Sequence, residues 1–281
     1  MGLQRAWIPC LVVAFAVFFG ACGSNELPPE IIPPIAVVDT LAVPEQPKKI
    51  CNLQPVIDTW LTEQSGTAGI VVYDLQSDSC VGRHHEDSVF FSASIYKLFV
   101  AYEGYLAIQQ GMLKGGASSY ENRNREECLD AMIRSSDSPC GQRVLAELGG
   151  SKLDEKLKSY GIVNTSLKGL KTTAADVAVL LKKIHMRAEL SAQNTDKLLN
   201  SMLDQPALFR SGLPRGFRGA IVHNKVGWNE PLEWHDAALV TLDGERSYAV
   251  VVLTRNIGCN GVTELGRRMM EAMTSWEEPV K

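Results

Sequence analysis

The sequence lacks several signals that would place it in other classes of protein. None of its 7 cysteines forms a C-x-x-C pair, and no cysteines and histidines cluster at the spacing of a zinc site. Charge of neither sign dominates, with 28 Lys plus Arg against 32 Asp plus Glu, and no basic footprint, acidic run or internal repeat is present. We therefore expect no metal and no nucleic-acid partner. The 45% hydrophobic and 21% charged residues are ordinary for a globular protein, which excludes coiled-coil, collagen-like and wholly disordered chains.

The first residues have the pattern of an export signal. Arg5 precedes an apolar run from Trp7 to Phe19, which is too short to span a bilayer but suits the hydrophobic region of a secretory signal. The run ends in Phe19-Gly20-Ala21-Cys22, and small residues just before a cysteine resemble a lipoprotein box. We predict a lipoprotein signal peptide over residues 1–21 and a lipid on Cys22, which would make an extracytoplasmic, membrane-anchored protein. The alternative is ordinary signal cleavage that leaves Cys22 unmodified.

Residues 22–49 predict a tether between this anchor and a folded domain. Proline recurs along the segment, at Pro28, Pro29, Pro33, Pro34, Pro44 and Pro47. Because proline does not fit a helix interior or a central strand, the segment reads as an extended spacer. The folded part is then predicted over residues 50–281, as a single domain.

Export also changes what the remaining cysteines predict, since some should pair in an oxidising compartment. Cys128 and Cys140 bracket one helix-like segment and are the first candidate pair. Cys51 with Cys80 is the second candidate, which would leave Cys259 unpaired. The alternative is that all of them are small buried apolar residues.

Apolar periodicity predicts the order helix, two strands, a block of helices, three strands and a final helix. The predicted segments are a helix over 53–61, strands near 69–73 and 80–85, helices within 94–203, strands over 220–228, 235–242 and 247–254, and a helix over 262–276. Asp243-Gly244 is a hairpin turn signal. The predicted fold class is α/β (α+β), with a five-stranded antiparallel sheet flanked by the N- and C-terminal helices. An all-helical lobe is inserted between strands 2 and 3, and chemistry is expected in the cleft between sheet and lobe.

The first motif with chemical meaning is Ser94-Ile95-Tyr96-Lys97. Ser94 is predicted to begin a helix, and residues i and i+3 lie one turn apart on the same face, so Lys97 can reach the Ser94 hydroxyl. A serine hydroxyl needs a base to become a good nucleophile, and burial or the positive end of a helix lowers a lysine pKa enough to provide one. On its own the S-x-x-K pattern is weak, because a helix N-cap followed by a solvated lysine has the same spacing.

Two further motifs follow in order, Ser136-Asp137-Ser138 and Lys225-Val226-Gly227-Trp228. S-x-x-K, S-D-N and K-T-G in that order are the signature of penicillin-recognising serine enzymes. The sequence therefore resembles the class A β-lactamase and DD-peptidase superfamily from about Cys51 to Trp276. It departs from the pattern at Ser138, where Asn is usual, and at Val226, where Thr or Ser is usual.

The resemblance implies a role for each motif residue. Ser94 would attack the substrate carbonyl, Lys97 would act as or relay to the general base, and Ser136 would pass a proton to the leaving nitrogen. Lys225 would bind the substrate carboxylate, and Ser138, Gly227 and Trp228 would contact the substrate, with the Ser94 and Trp228 backbone N–H groups forming the oxyanion hole. No cofactor is implied. The implied partner is a β-lactam or a peptidoglycan stem peptide, and we expect a monomer.

The loop that carries the deacylating Glu of class A β-lactamases is missing. Residues 159–171 contain no Glu or Asp and run directly into Thr172-Thr173-Ala174-Ala175-Asp176, which resembles the DD-peptidase form. We therefore expect acylation to survive and the penicilloyl enzyme to hydrolyse slowly. Among the histidines, His84, His85 and His185 are expected to be solvated, His223 to face the cleft or to pack, and His235 has no assigned role.

The sequence leaves two functions open. The first is an exported, lipid-anchored serine hydrolase that forms an acyl-enzyme at Ser94 with β-lactams or D-alanyl peptides. The alternative is a catalytically weak penicillin- or peptidoglycan-binding sensor or scaffold, which the changes at Ser138 and Val226 favour.

Overall fold

The computed structural model describes residues 52–229 and 231–275. The predicted signal peptide (1–21), the lipidated Cys22, the tether (22–49), Cys51 and Trp276 lie outside these residues, so the predictions about them stay predictions. Along the chain the elements are α1 (Gln54–Thr62), β1 (Thr67–Asp74), β2 (Ser79–His84), β3 (Phe90–Phe91), α2 (Tyr96–Gln109), β4 (Ser118–Tyr120), β5 (Arg123–Asn124), α3 (Arg125–Arg134), α4 (Ser138–Leu148), α5 (Gly150–Lys158), β6 (Lys171–Thr172), α6 (Ala174–His185), α7 (Ala192–Leu203), α8 (Leu213–Gly216), β7 (Ile221–Asn229), β8 (Glu233–Leu242), β9 (Arg246–Arg255) and α9 (Cys259–Thr274).

The main sheet has five strands in the order β2-β1-β9-β8-β7, and every neighbouring pair is antiparallel. The early pair β1–β2 joins the late strands because β1 pairs with β9 along its whole length, with Val71 opposite Val251. The β8–β9 hairpin turns at Asp243 and Gly244, which both have positive φ, at +52° and +74°. Positive φ at both central residues is the requirement of the hairpin turn that the Asp-Gly pair predicts.

Alternating strand residues build two apolar clusters, one on each face of the sheet. One face carries Ile70, Val72, Val250 and Val252, which pack under α1 and α9. The other carries Val71, Leu239, Val251 and Leu253, which pack against the helical lobe. This alternation follows from the two-residue repeat of a strand, and it confirms the predicted arrangement of first and last helix on one side and lobe on the other.

The lobe is built around α2, whose residues are buried without interruption from Tyr96 to Ala107. A helix that is buried all round lies inside a core rather than on its surface, so α2 is the central helix of the lobe. The lobe also contains a short β4–β5 ladder, and β3 pairs with β6 across the chain. These strands of two or three residues are additions to the predicted fold class, since such short runs have no detectable period.

One predicted disulfide is formed. Cys128 in α3 is bonded to Cys140 in α4, whereas Cys80 and Cys259 are bonded to no other described cysteine. The predicted pair of Cys51 with Cys80 stays a prediction, because Cys51 lies outside the described residues. Cys80 lies in β2 and is exposed. Among the described residues, no helix combines the length and the hydropathy that crossing a membrane requires.

Candidate active site

Ser94 lies in a single 3-10 turn, Ala93–Ile95, that leads from β3 into α2. The turn is fixed from both sides. The Ser92 N–H donates to the Leu170 carbonyl at 2.7 Å, and the Ile95 N–H donates to the Ser92 carbonyl at 2.9 Å. Ala93 adopts a positive φ of +43°, which is a costly conformation for a residue with a side chain. The predicted helix start at Ser94 thus becomes a strained turn just before α2.

The side chain of Lys97 contacts the first and the second motif. Its Nζ lies 3.0 Å from Ser94 Oγ, 2.6 Å from the Ser136 carbonyl and 3.0 Å from Ser138 Oγ. A neutral amine has two N–H donors and one lone pair. The Ser136 carbonyl and the Ser138 hydroxyl can take the two donors, which leaves the lone pair for the proton of Ser94.

The environment of Lys97 favours that neutral form. Its side chain is fully buried, and this burial lowers its pKa from 10.5 to about 8, although the nearby Asp137 carboxylate opposes the shift. Desolvation acts in this direction because it penalises the charged ammonium. An amine with such a pKa is partly unprotonated near neutral pH and can serve as a general base.

Ser136 lies in the bend between α3 and α4 with a φ of +56°. The next residue, Asp137, caps α4 by accepting the Cys140 N–H at 2.8 Å and forms an ion pair with Arg123 at 2.6 Å. The Cys128–Cys140 disulfide joins the two helices on either side of this bend. The positive φ of Ser136 is therefore held by a cap, an ion pair and a covalent link.

Lys225 reaches the same serine from the sheet. Its Nζ donates to Ser136 Oγ at 2.9 Å and to the Val226 carbonyl at 2.8 Å. The side chain is completely buried. Burial, and next the charge of Lys97, hold its pKa well below the usual 10.5, while Asp236 acts in the opposite direction. The Ser136 hydroxyl thus lies between two amines of reduced basicity, since Lys97 Nζ is 3.3 Å from the same oxygen.

Successive residues of the third motif lie on opposite faces of β7. Val226 is buried in the apolar cluster under α1 and α9, with Val222 and Trp234, so its side chain points away from Lys225. Gly227 faces the nucleophile turn. A Cβ at this position would lie 2.9 Å from the Ser94 nitrogen and 3.0 Å from the Ile95 nitrogen, which is too close for any other residue without a backbone shift.

Trp228 is held in an aromatic stack. Its ring centroid is 5.3 Å from that of Phe209 and 5.1 Å from that of Trp234, with interplanar angles of 21° and 9°. Because β7 is an edge strand of the sheet, one side of its backbone is not used in strand pairing. The stack therefore fixes the strand end at which the resemblance places an oxyanion-hole N–H.

A cavity of about 700 Å³ opens beside these residues. Its lining includes Ser94, Ser138 and Trp228, together with Leu167 and Leu170. No Asp or Glu is among the described residues that line it. The short segment 159–171, which contributes the two leucines, is held by two carboxylates that do not line the cavity. Asp176 accepts the Val163 and Asn164 N–H groups, and Asp154 accepts the Leu167 N–H.

His235 is a residue that the sequence analysis missed. It is fully buried on β8, and its Nε2 donates to the Phe91 carbonyl at 2.7 Å while its Nδ1 accepts the Thr254 N–H at 3.0 Å. Burial lowers its pKa from 6.5 to about 4, which keeps the ring neutral. Since Phe91 lies three residues before Ser94, His235 ties the nucleophile turn to the sheet. Its position on the predicted strand 235–242 was the available signal.

The other histidines have no comparable contacts. His84 and His85 stack with ring centroids 4.0 Å apart, and His185 is exposed, as predicted. His223 is half-buried beside Arg210 and is not among the residues that line the cavity. Within the described residues, no three His, Cys, Asp or Glu side chains are placed to hold a metal ion.

A five-stranded antiparallel sheet, a lobe inserted after its second strand and a Ser-x-x-Lys turn at their junction define the β-lactamase and DD-peptidase class of fold. A family model described as the β-lactamase enzyme family matches residues 52–118 and 119–269. The chain belongs to this family.

Solved structures share the fold at low sequence identity. PBP-A is 22% identical with a TM-score of 0.71, over 80% of this chain and 96% of that chain. A class A β-lactamase of the reconstructed last common ancestor of Gram-negative bacteria is 19% identical with a TM-score of 0.72, over 79% and 100%. A β-lactamase from Xanthomonas campestris pv. campestris is 16% identical with a TM-score of 0.71, over 80% and 100%. A comparison with curated proteins finds no match.

Proposed function

We propose that the protein is an extracytoplasmic, lipid-anchored serine hydrolase that forms an acyl-enzyme at Ser94 with β-lactams or D-alanyl peptides. The single observation that carries the proposal is the continuous set of contacts Ser94–Lys97–Ser136–Lys225, in which each polar atom lies within 3.3 Å of the next. A hydroxyl in contact with a buried amine of lowered pKa is the arrangement that activates a serine nucleophile.

The contacts around Ser94 support an acylation step in which every proton transfer has a donor and an acceptor. Ser94 Oγ bonds to the substrate carbonyl carbon while its proton moves to the neutral Nζ of Lys97. The carbon–nitrogen bond of the substrate then breaks, and the leaving nitrogen takes a proton from Ser136 Oγ. Lys97 or Lys225 restores that proton, because both amines contact the same oxygen.

The second half of the cycle is expected to be slow. Release of the acyl group requires an activated water, and the described cavity lining offers no carboxylate as its general base. Loss of such a base costs about 10²- to 10⁴-fold in rate. A mutant of PBP-A, a neighbour in fold, was solved as an acyl-enzyme complex with penicillin G; for this chain we propose a similarly trappable penicilloyl-serine.

The defining experiment is covalent labelling of the full chain with a fluorescent penicillin. The wild type is expected to carry one label, which mass spectrometry places on Ser94, and Ser94→Ala is expected to carry none. Ser92→Ala is a matched control. Ser92 is two residues away and buried, and its hydroxyl contacts only the neighbouring Ala93 carbonyl, at 3.5 Å, in the described structure. Fast nitrocefin turnover without a trapped label would contradict the slow second step, and D-alanine release from a peptide would identify peptidase activity.

The departures at Ser138 and Val226 support a second candidate, a catalytically weak binding module. The Ser138 hydroxyl accepts a hydrogen bond from Lys97. The Ser138 side chain is also shorter than the Asn side chain that is usual at this position. Val226 has its side chain in the apolar cluster instead of the cleft. If the wild type binds penicillin reversibly but takes no covalent label, the binding module is the correct function.

The lipid anchor rests on the sequence alone and has its own test. Mass spectrometry of the mature N-terminus is expected to find a lipid on Cys22, and Cys22→Ala is expected to move the protein from the membrane fraction to the soluble fraction. An unmodified Cys22 in the mature protein would favour ordinary signal cleavage.

A further inference from the structure

The cavity beside Ser94 extends well beyond the reacting groups. Its lining includes Leu170, whose carbonyl accepts the Ser92 N–H just before the nucleophile. Lys168 and Gly150 also line the cavity. They lie close together, since the backbone nitrogen and the Cβ of Lys168 are about 3.7 Å from where a Cβ on Gly150 would be. A ligand joined to Ser94 therefore occupies the same cavity as Lys168.

Three leucines contribute apolar surface to the cavity. Leu145 in α4, Leu167 and Leu170 line it, and Leu167 is almost fully buried. Burying aliphatic groups against such side chains is favourable. This part of the lining therefore suits an aliphatic chain.

The lining also carries a cationic side chain, that of Lys168. Lys168 is exposed and forms no ion pair with any residue that the structure describes. The neighbouring carboxylate, Asp154, is used by the Leu167 N–H at 2.6 Å and the Ser166 hydroxyl at 3.0 Å. Lys168 is the one charged side chain among the described residues that line the cavity, and the first turn of α5 at Gly150 adds partial positive charge.

We propose that this part of the cavity binds the acyl-side substituent of the substrate, and that the preferred substituent is an aliphatic chain ending in a carboxylate that pairs with Lys168. This specificity site rests on the proposed function, because it requires that ligands acylate Ser94. It is separate from the carboxylate site proposed at Lys225, since Lys225 lies on β7 and Lys168 lies on the turn before β6.

Two penicillins test the proposal, one with a hexanoyl side chain and one with an adipoyl side chain, which differ by a terminal carboxylate. Their second-order acylation rates are measured by competition with a fluorescent penicillin. The adipoyl-to-hexanoyl rate ratio is expected to fall about three- to fivefold in Lys168→Gln, the range of a solvent-accessible ion pair. It should fall further in Lys168→Glu and should decrease in wild type as salt is raised.

The matched control is Lys171→Gln, which removes the same charge three residues away from an exposed lysine that does not line the cavity. It is expected to leave the ratio unchanged. If both penicillins acylate the wild type but the ratio is the same in Lys168→Gln, the proposal is overturned while the proposed function stands. If neither penicillin acylates Ser94, the proposed function fails, and this inference fails with it.

Discussion

The hydroxyl oxygen of Ser136 lies 2.9 Å from Lys225 Nζ, so a bend in the helical lobe and an edge strand of the sheet are joined by one hydrogen bond inside the cleft. Removing this hydroxyl should break the path by which a proton reaches the leaving nitrogen. For Ser136→Ala we expect labelling by fluorescent penicillin to slow about 10²- to 10⁴-fold. The measurement is the second-order labelling rate.

Two further variants separate chemistry from backbone strain at this position. Ser136→Gly also lacks the hydroxyl but suits the φ of +56°, so it should be as slow as Ser136→Ala and more stable. Ser135→Ala should keep the wild-type rate, because the Ser135 hydroxyl donates to the Ala131 carbonyl of α3 and, among the described residues, to no group of the site. Wild-type labelling by Ser136→Gly would remove Ser136 from the mechanism.

The pKa of Lys97 predicts how acylation depends on pH. Burial lowers that pKa to about 8, and the base must be neutral to accept the Ser94 proton. Below this pKa the neutral fraction grows about tenfold per pH unit, so the labelling rate should rise with pH and level off above about 8. A rate that is flat or falling between roughly pH 6 and pH 8 would show that Lys97 is not the base.

Gly227 determines how closely β7 approaches the nucleophile turn. In Gly227→Ala the new Cβ would lie 2.9 Å from the Ser94 nitrogen, and the strand would have to move outward together with the Trp228 N–H. We expect acylation to slow about 10²- to 10³-fold, the cost of losing one oxyanion donor. Gly116→Ala is the control, because a Cβ there meets nothing within 4 Å. Equal rates in both variants would argue against an oxyanion hole at this strand.

A carboxylate placed in the cavity should speed the release of the acyl group. Leu170 lines the cavity, and its carbonyl is bonded to the Ser92 N–H just before the nucleophile. For Leu170→Glu we expect the penicilloyl enzyme to decay at least about tenfold faster than in wild type, since a positioned base contributes about 10²-fold or more. The lifetime is measured by mass spectrometry after penicillin is removed. Leu170→Gln has the same shape without the base, and equal decay in both would exclude base catalysis.

His235 makes stability depend on pH. Its pKa is about 4 in the folded protein against 6.5 for an unperturbed histidine, so the unfolded chain binds more protons between these values. Stability should therefore rise with pH from about 4 to about 6.5. His235→Gln should weaken that dependence, lower the free energy of unfolding by about 1–3 kcal/mol and slow labelling at Ser94. Urea unfolding of the wild type and of His235→Gln at several pH values measures this dependence. The same pH slope in both proteins would contradict its assignment to His235.

Much of the fold could be predicted because its long elements are apolar segments bounded by turn signals. The strands β7, β8 and β9 run over nine or ten residues, most of them buried, and the Asp243-Gly244 turn signal between the last two predicts their hairpin. The two-residue ladder of β3 with β6 had no such signal, since its pairing joins distant parts of the chain.

In the site, too, contacts between residues close in sequence could be predicted, whereas contacts between distant residues could not. Ser94 and Lys97 are one helical turn apart, so local geometry alone placed them in contact. The disulfide of Cys128 with Cys140 was within reach because both flank one short segment, whereas Cys80 had no local constraint on its partner. The role of His235 depends on the Phe91 carbonyl, which lies 144 positions away in the chain.

By itself, the sequence determined which residues have the chemistry: a serine with a lysine one turn later, a second serine and a second lysine, and no acidic residue in 159–171. Only the tertiary structure decided that Ser136 lies between the two lysines, that Val226 turns away from the cleft and that Lys168 lines the same cavity as Ser94. The physical reason is that helical spacing is encoded within a few residues. Burial, and with it the lowered pKa of Lys97 and Lys225, arises when the lobe and the sheet exclude water from the same space.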